Sequence, residues 1–80
     1  MVEVDEKKGT VRGVVLEIDG ARHLVRKTVV SVSRRNGRWI VDQSPTLPVD
    51  FYEAAQLVDC LKDTFAKVRE IAIQLTMEEK

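Results

Sequence analysis

The sequence is poor in cysteine and histidine, with one of each among its 80 residues, Cys60 and His23. One cysteine cannot form a disulfide within the chain, and the two residues together cannot supply the four ligands of a structural zinc site. No apolar run approaches the ~20 residues of a membrane span, and no charged-then-apolar stretch typical of a secretory signal opens the chain. These absences favour a cytoplasmic protein that holds no cofactor or metal and binds no membrane.

Signatures of catalysis are scarce as well. The four glycines are dispersed along the chain, so no glycine-rich phosphate loop is present. His23 lies in a charged segment and is interpreted as facing solvent or a phosphate group. Cys60 is interpreted as a small buried or boundary residue, with a regulated thiol at a dimer interface as the alternative. Because no nucleophile is paired with a general base, the sequence predicts a protein that is not an enzyme and has no small-molecule substrate.

The net charge of zero hides an uneven distribution along the chain. Residues 1–40 hold nine Lys and Arg against five Asp and Glu, whereas residues 41–80 hold four against eight. The first half is therefore positive and the second half negative. Chance in a small protein is one explanation, and a first half that faces a polyanion is the other.

Segments with patterns typical of β-strands, separated by turn signals, occupy the first half of the chain. "TVRGVVLEI" is rich in β-branched residues, and its internal Gly13 predicts a bulge or a strong bend. Asp19-Gly20 and Asn36-Gly37 are signals for type I′ hairpin turns. Neither parity of residues 21–35 is apolar throughout, which predicts a long bent strand with a bulge near residues 26–27.

The second half reads as one amphipathic helix. Apolar residues from Phe51 to Leu75 recur at alternating spacings of three and four. Asp50 is the expected N-cap, with Thr46 as the alternative. A helix of ~40 Å would outreach a sheet of ~20 Å, so we expect the part from Phe65 to Leu75 to overhang and to pack against a second copy. The predicted interface of this homodimer comprises Val58, Leu61, Phe65, Val68, Ala72 and Leu75.

The predicted fold is α+β: a curved antiparallel β-meander of three to four strands, followed by one long C-terminal α-helix. Eighty residues suffice for a single domain. The first eight residues are either a flexible N-terminus or a short edge strand. The predicted segments are therefore 1–8, the meander 9–43, the proline-containing linker 44–48 and the helix 49–76.

A basic face of the predicted sheet is the feature that best indicates a function. Arginine or lysine side chains follow the second strand and surround the second turn, and the only tryptophan comes next. Guanidinium groups bind phosphates, and aromatic faces stack on bases. Trp39 is either such an exposed platform or a core residue that packs on the helix. The candidate nucleic-acid-binding residues are Arg22, Arg26, Lys27, Arg34, Arg35, Arg38 and Trp39.

Two stretches resemble the positive-cofactor-four family of transcriptional coactivators. "VSVSRRNGRWIV" is similar to its strand–turn–strand segment, and "TLPVDFYEAAQLVDCL" to its strand-to-helix junction. The resemblance implies a dimer that binds single-stranded DNA. The family's lysine- and glycine-rich stretch is replaced here by "VDQSP".

Two functions follow as hypotheses. The first is a non-enzymatic protein that binds single-stranded DNA or RNA through a basic sheet face, in a transcription-related regulator. The alternative is a protein–protein interaction or assembly module, a small adaptor or regulator that works through its amphipathic helix.

Overall fold

A computed structural model describes residues 1–78 and has the predicted α+β architecture. The strands pair antiparallel in the order β1-β2-β3-β4, and one helix follows them. An edge strand, not a flexible segment, occupies the N-terminus, and the helix begins two residues after the predicted position. No helix in residues 1–78 is long and apolar enough to cross a membrane. The elements are β1 (Val2–Asp5), β2 (Thr10–Ile18), β3 (Leu24–Arg35), β4 (Arg38–Gln43) and α1 (Phe51–Glu78).

The β2–β3 and β3–β4 hairpins of the sheet use different turns. Asn36 and Gly37 have φ angles of 53° and 77°, which confirms the predicted two-residue turn of the I′ type. The predicted turn at Asp19-Gly20 is wrong. Asp19 and His23 are paired instead, and Arg22 has a φ of 63°. Because Asp19 Oδ1 accepts hydrogen bonds from the backbone N–H groups of Ala21 and His23, this side chain selects a longer loop.

One irregularity bends β3 where the sequence pattern changes parity. Gly13 pairs with Val30 and Val14 pairs with Thr28, so Val29 is the extra residue of a bulge. The predicted bulge in this strand is confirmed, but it lies after residues 26–27. Both Val29 and Val30 are buried, because a bulge turns two successive side chains toward one side of the sheet.

The helix packs on the sheet where Gly13 leaves room for it. A Cβ atom on Gly13 would lie 2.4 Å from Thr64 Oγ1 and 2.8 Å from Cys60 Sγ. Gly13 therefore marks the close approach of α1 and β2 as well as the neighbouring bulge. Thr64 is fully buried and donates its hydroxyl proton to the carbonyl oxygen of Cys60 at 2.8 Å, so this polar group costs little inside the core.

The hydrophobic core lies between α1 and the strands. Its buried centre is formed by Val11, Val30, Val32 and Val68. Partly buried apolar side chains surround this centre: Val2, Trp39, Leu61 and Ile71. The core thus draws on every strand and on the middle and C-terminal parts of the helix.

The expected overhang of the helix is wrong. Val68 is buried, Ile71 packs on the core, and Leu75 lines a cleft with Val4 and Trp39. The 12 residues of β3 extend over ~40 Å at ~3.3 Å per residue, which matches the ~42 Å of the 28-residue helix. The overhang was expected because a strand of average length extends over only ~20 Å, about half the length of β3.

The helix begins as its preferred cap predicts. Asp50 Oδ1 accepts a hydrogen bond of 3.0 Å from the backbone N–H of Glu53. The backbone N–H of Ala54 donates to the carbonyl oxygen of Asp50, also at 3.0 Å. Asp50 is therefore the N-cap, and Thr46 lies in the linker before it.

Candidate interaction surfaces

One face of the sheet packs against α1. The other face, which no helix of residues 1–78 covers, is called the open face. Because paired residues of antiparallel strands share a face, Arg12, Arg26, Arg35 and Arg38 all lie on the open face. Arg26 forms an ion pair with Glu3, Arg12 lies 3.7 Å from a carboxylate oxygen of Asp5, and Arg35 lies 2.8 Å from one of Asp42. Three of the four guanidinium groups are thus paired with carboxylates of the same chain.

Hydrogen bonds tie this charged layer to the sheet. The hydroxyl groups of Thr10 and Ser33 are 3.1 Å apart, and both residues are buried. Ser33 also donates a hydrogen bond to Asp42, the carboxylate that holds Arg35. A phosphate group would have to compete with this fixed network for Arg35, which lowers the attraction of the open face for a polyanion.

The predicted nucleic-acid-binding residues are distributed over both faces. Arg26, Arg35 and Arg38 lie on the open face, whereas Lys27, Arg34 and Trp39 lie on the helix side. Arg22 lies in the β2–β3 loop. Trp39 is partly buried against the core, so no tryptophan ring stands beside the open-face arginines. The structure does not bring these seven residues together into one surface.

Two lysines outside the predicted set lie near part of it. The β1–β2 turn and the β3–β4 turn are at the same end of the sheet, where the backbone N–H of Arg34 donates to the carbonyl oxygen of Gly9 at 2.9 Å. We call this end the basic end and define it by Lys7, Lys8, Arg35 and Arg38. Sequence reasoning missed the two lysines because no local pattern relates turns that are about 30 residues apart.

The helix keeps one apolar stripe that the sheet does not cover. Its members recur every seven residues, Phe51, Val58, Phe65 and Ala72, and we call it the apolar flank. The first three side chains are 76%, 36% and 40% exposed. Of the predicted dimer residues, Leu61, Val68 and Leu75 instead lie against the sheet of their own chain, whereas Val58, Phe65 and Ala72 belong to this flank.

An aromatic pair begins the apolar flank. The rings of Phe51 and Tyr52 meet edge to face with centroids 5.8 Å apart. Both side chains are about three-quarters exposed, at 76% and 77%. Exposed aromatic side chains of this size are typical of residues that contribute most to binding between proteins.

The two edges of the sheet differ in protection. β1 has four residues, of which Glu3 and Asp5 carry charges that blunt an edge. β4 has six residues and carries Trp39, Ile40 and Val41 in succession. In the described part of the chain the backbone of α1 approaches β1, β2 and β3 but not β4, of which Trp39 packs on the core and Val41 is 49% exposed.

Cys60 and His23 lie in different parts of the structure. Cys60 is buried beneath Gly13, as its sequence context predicts. The His23 ring is exposed and lies 3.8 Å from a carboxylate oxygen of Asp19. Among residues 1–78 no group of three His, Cys, Asp or Glu side chains is arranged to hold a metal ion.

Comparison with protein-family models, with characterised proteins and with solved structures finds no match for this chain. Inferences about function therefore depend on the surfaces of this chain alone.

Proposed function

We propose that this protein is a non-enzymatic, cytoplasmic interaction module that binds a partner protein through the apolar flank of α1. The observation that supports this proposal is the exposure of Phe51, Val58 and Phe65 on a helix whose other side is already buried. Burying apolar area stabilises a complex by roughly 25 cal/mol per Å² before the costs of association are subtracted. An apolar helix of a partner fits such a stripe, because its side chains recur at the same spacing.

The arrangement of charge supports the same proposal. Lys62 and Arg69 are the charged neighbours of the flank on the helix surface, because each lies three or four residues from Phe65. A charged border around an apolar stripe is typical of the polar rim of a protein interface. Two positive side chains in this rim select a partner that carries carboxylates at the matching positions.

Site-specific photo-crosslinking in the source cells tests this proposal. A photo-reactive amino acid in place of Val58 or Phe65 should capture one and the same protein. The same probe in place of Asp63 or Glu70, on the polar side of the helix, should not capture it. The captured protein, once purified, should bind the wild type and lose at least ~10-fold in affinity for Phe65→Asp, because a charge would be buried against apolar partner atoms.

Asp63→Lys is the matched control, since it changes charge on the same helix outside the apolar flank. It should retain the wild-type affinity within ~2-fold, as expected for a charge change outside the contact. Adducts spread evenly over all four probe positions would contradict the proposal. So would a purified partner whose affinity is unchanged by Phe65→Asp.

A second candidate is binding of single-stranded DNA or RNA, which is also what the resemblance to the positive-cofactor-four family implies. The observation that favours it is the basic end, where two turns gather Lys7, Lys8, Arg35 and Arg38. Phosphate contacts at this end would release counterions, so the affinity for a labelled oligonucleotide should fall steeply with salt.

Lys7→Glu combined with Lys8→Glu tests the second candidate directly. The double variant should lose oligonucleotide binding, whereas Arg22→Glu, in the loop at the opposite end of the sheet, should retain it. Binding that ignores salt, or a double variant that binds as the wild type does, would refute this candidate. Neither variant alters the apolar flank, so the two functions are tested separately.

A further inference from the structure

The outer edge of β4 is the longer and more apolar of the two free strand edges that residues 1–78 present. β4 pairs with β3 on one side and with no other strand among residues 1–78. Natural sheets protect such edges with prolines, lysines, a covering helix or a bulge. Arg38–Gln43 contains no proline or lysine, the backbone of α1 does not approach it, and its single bulge, with Asp42 as the extra residue, lies near its end.

The residues of β4 are complementary to a second copy of themselves. They read Arg, Trp, Ile, Val, Asp from 38 to 42, with a positive charge at one end, a negative charge at the other and three apolar residues between. In an antiparallel pair centred on Ile40, Arg38 of each copy lies opposite Asp42 of the other copy. Trp39 of each copy then lies opposite Val41 of the other.

The faces of the sheet are consistent with this register. Arg38 and Ile40 lie on the open face, where Asp42 already contacts Ser33 and Arg35. Asp42 has carboxylate capacity for a further guanidinium group, because a carboxylate offers about four acceptor sites. Arg38 has no ion pair or hydrogen bond to its side chain within residues 1–78 and is available for that contact.

The helix side of the sheet supplies the apolar part of the same contact. Val41 is 49% exposed there because the backbone of α1 lies over the neighbouring strands, whereas the Trp39 side chain is partly buried against the core. Two copies paired at β4 would place both pairs of Trp39 and Val41 side by side, as one apolar surface on the helix side of the shared sheet. Aromatic and β-branched residues opposite each other stabilise antiparallel pairs.

We propose that two copies of this chain pair antiparallel through β4, centred on Ile40, to form one continuous eight-stranded sheet. This dimer uses a surface distinct from the apolar flank and goes beyond the proposed function. The homodimer expected from the sequence is thereby moved from the helix to the sheet edge. Both helices lie on the same side of the shared sheet, and both apolar flanks stay accessible.

Other registers fit less well. A shift by two residues places Arg38 opposite Ile40 and leaves Asp42 of both copies without its guanidinium partner. A shift by one residue makes the open face of one copy continuous with the helix side of the other. Charged side chains of one copy would then lie beside apolar side chains of the other. Only the register centred on Ile40 satisfies charge and burial together.

Sedimentation of oppositely charged Ile40 variants tests the proposal. The wild type should sediment at twice the 9.1 kDa of one chain. Ile40→Lys and Ile40→Glu should each be monomeric, because Ile40 faces its own copy and like charges opposite each other repel. An equimolar mixture of the two variants should restore a dimer that contains one copy of each. Ile40 is 41% exposed, so both variants are expected to fold.

Leu24→Lys is the matched control, since Leu24 is a 66% exposed apolar residue of the open face that lies outside β4. It should leave the dimer intact, and Phe65→Asp should do so too. A monomeric wild type would overturn the proposal. Dimers that survive in the Ile40 variants but dissociate in Phe65→Asp would overturn it as well, and would place self-association on the helix.

Hydrogen exchange of the wild type provides a measurement that needs no variant. Backbone N–H groups of β4 that point outward should become protected as the protein concentration rises, because they donate to the second copy. Those of the β1 edge should exchange at the same rate at all concentrations. Exchange in β4 that does not depend on concentration would overturn the proposal.

Discussion

Gly13→Ala is the substitution for which the structure gives the sharpest expectation. The added Cβ would lie 2.4 Å from Thr64 Oγ1, 2.7 Å from Val30 Cγ1 and 2.8 Å from Cys60 Sγ. Favourable contacts between nonbonded heavy atoms are at ~3.5–4.0 Å, so all three neighbours would have to move by roughly 1 Å. Thr64 and Val30 are fully buried and Cys60 is 6% exposed, so none of them can move into solvent.

The magnitude follows from overpacking and from the unfolded state. Inserting one methyl group into a packed core costs ~1–3 kcal/mol. Replacing glycine by alanine also restricts the unfolded chain, which returns about 0.4–1 kcal/mol. We therefore expect a net loss of ~1–2 kcal/mol in the free energy of unfolding. For a domain of this size each kcal/mol lowers the Tm by ~4–8 °C.

Thermal and urea denaturation followed by far-UV circular dichroism measure this loss, at one protein concentration for all variants. Gly20→Ala is the matched control, because no atom lies within 4 Å of its added Cβ and its φ is not positive. It should be neutral or slightly stabilising. Combining Gly13→Ala with Thr64→Ala should cost less than the sum of the two single changes, since one of the three contacts is removed. A Gly13→Ala variant as stable as Gly20→Ala would refute the reasoning.

Two further predictions concern the ends of elements. Arg22→Gly should raise the urea midpoint and increase the free energy of unfolding by up to ~1 kcal/mol, because Arg22 has a φ of 63° that glycine adopts without a steric penalty. Ala21→Gly beside it should not stabilise the protein, and a lower midpoint for Arg22→Gly would contradict the loop geometry. Asp50→Ala should lower the free energy of unfolding by ~1 kcal/mol, because the backbone N–H of Glu53 loses its acceptor. Asp50→Ser should retain most of that stability, and equal losses for both variants would argue against capping.

The elements with strong local signals were predictable from the sequence. Asn36-Gly37 adopts positive φ angles with little strain, so it specifies its two-residue turn without help from the rest of the chain. Asp50 caps α1 through a contact three residues away. The prediction of a two-residue turn at Asp19-Gly20 was wrong because the Asp19 side chain accepts hydrogen bonds from the backbone N–H groups of Ala21 and His23, which stabilises a longer loop instead.

The candidate surfaces were less predictable because they combine distant segments. The apolar spacing predicted a helix but could not say which of its apolar residues face the sheet, since Phe51–Leu75 offers a stripe wide enough for two surfaces. Thr64, a polar residue, occupies the contact beneath Gly13, and its burial depends on a hydrogen bond within the helix. The carboxylates that pair with Arg12, Arg26 and Arg35 all come from other strands, so the half-chain charge difference did not reveal them.

By itself, the sequence determined the α+β class, the succession of strands and helix, the β3–β4 hairpin turn and the helix cap. These features depend on periodicity, backbone preference and contacts within a few residues, all of which are local. Only the tertiary structure decided which face each side chain occupies, because the bulge at Val29 and the position of α1 over β1–β3 set that choice. It thereby paired three of the open-face arginines with carboxylates and placed Trp39 against the core. Within residues 1–78 it left the apolar flank and the outer edge of β4 uncovered.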